Sequence, residues 1–93
     1  MVSKKLVQNA MDYQLADLQA LCEICIMENK GFGAMSRDVR QEFDLSVCDA
    51  IDWTLEGLEL VYVHGKDPRA YGVAMEFYRN TRRELPVWMI IAV

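Results

Sequence analysis

The chain has 93 residues, a length suited to one domain. Hydrophobic types make up 53% and charged types 26%, which excludes a disordered tail, a collagen-like repeat and a low-complexity linker. The formal charge of -4, from 10 Lys and Arg against 14 Asp and Glu, argues against non-specific nucleic-acid binding. The longest uncharged apolar run, after Glu84, is too short to span a bilayer, so no membrane role is expected. MVSKKLVQNAMDYQ lacks the apolar core and cleavage site of a signal peptide. Three Cys, an odd count without an export signal, point to reduced thiols in a cytoplasmic protein.

The first predicted helix covers 8–29. Met11, Leu15, Leu18, Cys22, Cys25 and Ile26 recur at spacings that place them on one face. Lys30-Gly31-Phe32-Gly33 reads as its C-cap and turn. A short second helix is predicted over 36–43, with Ser36 as N-cap and Val39 and Phe43 on one face. Asp44-Leu45-Ser46 interrupts it. Ser46 with Asp49 three residues on resembles a capping box and opens a third helix over 47–56. Val47, Ile51, Leu55 and Leu58 then define its buried face, and Gly57 relaxes its end. On that register Trp53 points mostly away from the core, unless the helix is rotated or the C-terminal segment covers it.

After Leu58 the pattern changes. Leu60-Val61-Tyr62-Val63 is β-branched and aromatic, and His64 to Arg69 holds Gly, Asp and Pro, so 60–77 reads as a β-hairpin. Tyr71, Val73, Met75 and Phe77 alternate with Gly72, Ala74 and Glu76, as a strand requires. A helix over Asp67–Arg83, capped by Asp67 with Pro68 at its first position, is the alternative. Val87–Val93 is apolar throughout and reads as a buried strand or a dimer element.

Three stretches carry a resemblance: SRDVRQEFDLS (Ser36–Ser46), AIDWTLEGLELVYV (Ala50–Val63) and GKDPRAYGVAMEF (Gly65–Phe77). Over Met35–Phe77 the chain resembles the winged helix-turn-helix core of MarR-like and related small regulators. Leu45-Ser46 matches the turn before the recognition helix, Gly57-Leu58 the step into the wing, and Lys66-Asp67-Pro68-Arg69 a basic wing tip. The resemblance implies an α+β fold of three helices plus a wing hairpin, with an apolar C-terminal strand or helix. It also implies a homodimeric transcriptional regulator that binds duplex DNA, of a size suited to a phage or mobile element. Its candidate DNA contacts are Arg37, Arg40, Ser46, His64, Lys66 and Arg69.

The outer face of the third helix departs from that pattern. It carries Cys48, Asp49, Asp52, Trp53 and Glu56, with no base among them, and carboxylates repel phosphates. From Asp38 to Glu59 seven acids face one base, Arg40. These residues support a second expectation, an acidic interaction module or inhibitor that docks on a basic, nucleic-acid-binding protein surface. Cys22-Glu23-Ile24-Cys25 lies within a helix rather than at its start, so core packing is expected over redox chemistry. Cys48 and His64 do not complete a zinc pattern. No phosphate loop, nucleophile elbow or metalloprotease motif is present, so we expect no catalysis, metal or cofactor.

Overall fold

A computed structural model describes the backbone of residues 4–91 and the side chains of residues 14–91. Among the described residues five helices follow one another: α1 (Lys4–Met27), α2 (Phe32–Phe43), α3 (Val47–Val63), α4 (Arg69–Arg79) and α5 (Val87–Ile91). There is no strand among the described residues. The expected α+β fold with a hairpin wing is therefore corrected to an all-helical one.

The wing fails for a physical reason in each half. Val61 continues the buried face of α3 three residues beyond Leu58, so Leu60–Val63 extends that helix despite its β-branched residues. In the returning half, Ala70 and Ala74 are fully buried. Residues four apart share a face under both helical and strand periodicity, so the alternation could not separate the two. Small side chains at these positions let α4 pack closely on α3. The alternative helix is present with other bounds: Pro68, not Asp67, is the N-cap residue and α4 begins at Arg69, while the Asp67 carboxylate accepts from the Arg69 N–H at 3.0 Å. Pro68 supplies a helical φ of -66°. The helix stops at Arg79, short of Arg83.

α3 is the central helix, packed against α1, α2 and α4. Its buried face is Ala50, Thr54, Gly57, Leu58 and Val61. This is a rotation from the expected register: Val47 is exposed, and Ile51 and Leu55 are half-buried. Buried Thr54 satisfies its hydroxyl on the Ala50 carbonyl at 2.6 Å. Gly57 is not a helix end. A Cβ there would lie 2.5 Å from Cys22 Sγ and 3.1 Å from Leu18 Cγ, so the missing side chain is what lets α1 meet α3. Around this contact Leu18, Cys22, Met35, Val39, Leu58 and Met89 form the core.

The helix ends follow local hydrogen bonding. Asn29, at φ 58°, closes α1, and the Lys30 N–H returns to the Cys25 carbonyl. The expected glycine cap is thus replaced by Asn29, and Gly31 becomes the N-cap residue of α2. α2 starts ahead of Ser36 because Phe32 and Met35 already belong to its buried face. Its end uses Asp44 at φ 52°, with the Leu45 N–H returning to the Arg40 carbonyl. Ser46 then caps α3 as expected, accepting from the Asp49 N–H at 3.2 Å. The α3–α4 turn needs Gly65, where a Cβ would meet the Val61 carbonyl at 2.6 Å.

The C-terminal apolar run is a short helix rather than a strand. α5 buries Trp88 and Met89 and leaves Val87, Ile90 and Ile91 exposed. Trp88 packs against Tyr62 in a tilted arrangement and against Tyr71 edge to face, at centroid distances of 5.3 Å and 6.4 Å. The final two residues of the run lie outside the described residues, as does the Met11 side chain. No described helix is long and apolar enough to cross a membrane.

Candidate docking groove on α1 and α3

With α3 in its observed register Trp53 is half-buried against Phe43 of α2 rather than pointing mostly away from the core. The indole lies 5.1 Å from the Phe43 ring. Beside it a shallow groove of ≈ 240 Å³ opens between α1 and α3. Its lining comes from Gln14, Leu15 and Leu18 of α1 and from Asp52, Trp53 and Glu56 of α3. The floor is apolar because Leu15 and Leu18 belong to the face that α1 turns to α3. The rim is acidic because positions 49, 52 and 56 of α3 lie on its solvent side, where Asp49, Asp52 and Glu56 are exposed.

The acidic stripe continues to Glu59, which is only partly exposed. Burial raises its carboxyl above the usual range, and repulsion from Glu56 adds to this, while His64 works in the opposite sense. One internal base answers the stripe among the described residues. Arg83, in the non-helical segment between α4 and α5, places Nη1 3.2 Å from Asp52 Oδ1. Its guanidinium also lies over the Phe77 ring, 5.4 Å from the centroid.

The expected protein-contact residues are thus brought together in part. Asp52, Trp53 and Glu56 share the groove, Asp49 extends the same acidic face, and Cys48 is exposed in the first turn of α3. The expected DNA contacts do not form a wing surface. Arg37 and Arg40 lie on α2, and the Arg40 Nε–H donates to the Leu45 carbonyl at 3.4 Å. Ser46 is engaged in capping α3. His64 and Lys66 occupy the α3–α4 turn, Lys66 at φ 52°. Arg69 is held in a fork by Asp67, with contacts of 2.8 Å to 3.2 Å.

Leu15 and Leu18 were legible as apolar helix positions, but nothing in their spacing marks them as a groove floor. Arg83 carried no signal beyond its charge, since its role depends on how the chain returns after α4. The Cys22 and Cys25 thiols are core groups. Burial pushes Cys22 up to about 12. Burial, with a hydrogen bond to Asp38 at 3.5 Å, pushes Cys25 up to about 11. Neither is a ready nucleophile. Among the described residues, no three His, Cys, Asp or Glu side chains converge as a metal site would require. Comparison with protein-family models, with curated proteins and with solved structures returned no match.

Proposed function

We propose that this chain is a protein-interaction module whose α1–α3 groove receives a basic amphipathic segment of a partner protein. The observation that carries this reading is the pairing of an apolar floor, Leu15, Leu18 and Trp53, with a carboxylate rim, Asp52 and Glu56. A partner helix with leucine-like anchors on one stripe and Lys or Arg beside it complements both parts. At ≈ 240 Å³ the groove is small for a metabolite and suits one or two anchoring side chains. A partly buried Trp is a residue type that concentrates binding energy at interfaces. The excess of acids from Asp38 to Glu59, seven against the one base Arg40, favours encounter of a basic surface with this part of the chain.

A second reading keeps one specific feature, the order α2, tight turn, α3, which is that of a helix-turn-helix. It would bring α3 to DNA. The exposed carboxylates Asp49, Asp52 and Glu56 weigh against it, because they would approach phosphates without releasing counterions.

One experiment separates the two. A labelled helical peptide built from Leu and Arg, and a labelled random duplex, are titrated with the protein by fluorescence anisotropy. The salt series runs from about 30 to 200 mM. The expected result is peptide binding that Trp53→Ala or the pair Asp52→Lys and Glu56→Lys removes. A same-composition peptide with scrambled order should bind at least about tenfold more weakly. Salt-sensitive duplex binding without peptide binding would overturn the proposal in favour of the second reading.

A further inference from the structure

We infer that Arg83 is an intramolecular occupant of the groove rim, which a partner's cation must displace from Asp52. This rests on the reading of the groove as a docking site and gives that site a built-in competitor.

Four observations point the same way. Arg83 reaches back 31 residues along the chain to Asp52, a residue that lines the groove. Among the described residues it is the base that pairs with the acidic stripe of α3; the other ion pairs join Lys30 to Glu28 and Asp38, and Arg69 to Asp67. It does so from the non-helical segment after α4, whose backbone is not committed to a helical ladder. The contact is also built to open: the Arg83 and Asp52 side chains are 52% and 65% exposed, so water can take over either partner.

The geometry also explains why the competitor is an arginine. The planar guanidinium can rest on the Phe77 ring and present an N–H to Asp52 at the same time. When a partner's guanidinium takes Asp52, Arg83 keeps its place over Phe77 and loses one hydrogen bond. Occupation of Asp52 in cis thus sets a threshold. A segment that brings only apolar anchors meets a rim that is already neutralised at one position. A segment that also brings a base can exchange for Arg83.

The test uses the full chain and the Leu/Arg peptide. Arg83→Gln frees Asp52, and the peptide should bind about two- to fivefold more tightly, the factor by which an exposed pair of this kind holds its partner. Arg82→Gln makes the same change in net charge at an exposed neighbour and should shift affinity by less than half as much on a logarithmic scale. Adding Asp52→Asn should abolish the difference between wild type and Arg83→Gln, because the two residues act as one pair. Circular dichroism of each variant checks that the helices persist.

If wild type binds and Arg83→Gln binds equally or more weakly, Arg83 is no competitor and the inference falls while the docking reading stands. An equal gain from Arg82→Gln would assign the effect to net charge and also overturn it. Absence of binding by wild type and Arg83→Gln alike would remove the docking reading and this inference together. Binding by Arg83→Gln alone would support both.

Discussion

Replacing Gly57 with alanine tests the contact on which the fold turns. In an exposed helix interior this exchange would stabilise, since alanine is favoured over glycine by about 1 kcal/mol. Here the new Cβ would lie 2.5 Å from Cys22 Sγ and 3.3 Å from Leu18 Cδ1. Ordinary contact begins near 3.4 Å, so the sulfur must retreat by roughly 0.9 Å. It has little room to do so, because Cys22 is 0% and Leu18 1% exposed. Overpacking of a tight core costs about 1–3 kcal/mol, and a gap of this size on two immobile neighbours belongs near the upper end. After the propensity gain, Gly57→Ala should destabilise by about 2 kcal/mol, a fall in Tm of about 10 °C for a domain of this size. Urea unfolding followed by far-UV circular dichroism measures it. Gly72→Ala is the control: nothing lies within 4 Å of its Cβ position, so it should stabilise by about 0.5–1 kcal/mol. Cys22→Ala removes the clashing sulfur, so the two substitutions should be non-additive, with the double variant recovering about 1 kcal/mol. Equal or greater stability of Gly57→Ala relative to wild type would refute the close approach of α1 and α3.

Two further predictions rest on titratable groups. With Cys22 and Cys25 buried and protonated, native protein at about pH 8 should react with a disulfide reagent at one thiol, exposed Cys48, forming a mixed disulfide and expelling one equivalent of the reagent's thiol, and at the other two only in urea. Fast reaction of a second thiol would contradict the core assignment. The Lys30 hydrogen bond holds the Asp38 carboxyl below its ordinary value, against a smaller opposing effect of burial. A folded pKa below the unfolded one stabilises the protein above the unfolded value and loses that contribution as pH falls through the folded one. Urea midpoints of wild type should therefore drop more steeply than those of Asp38→Asn between about pH 5 and pH 2; parallel curves would remove the pair from the acid limb.

Several features of this protein are decided by residues close together in the chain. Ser46 with Asp49 starts α3, the Asp67 carboxylate and Pro68 lie just ahead of α4 and hold its first residue, and the spacing of Leu18, Cys22, Cys25 and Ile26 sets the inner face of α1. Each signal acts through a side chain and a backbone group within one or two helical turns, so it is present in the sequence itself. The acidic outer face of α3 is legible for the same reason, since helical periodicity alone groups Asp49, Asp52 and Glu56.

Tertiary packing decided the rest. The segment around Ala70 and Ala74 satisfies both strand alternation and helical spacing, and the contact with α3 selects the helix. Val47, Ile51 and Leu55 offered an apolar face as good as Ala50, Thr54 and Gly57, but only the smaller residues allow α1 to approach to the distance at which Cys22 fills the gap. That choice rotates α3, brings Trp53 against Phe43 and creates the groove. Arg83 depends on it in turn, because the return of the chain after α4 alone brings its guanidinium to Asp52. Periodicity reports which residues share a face. Which of two apolar faces is buried follows from the shape of the neighbouring helix, and that is fixed only when the helices meet.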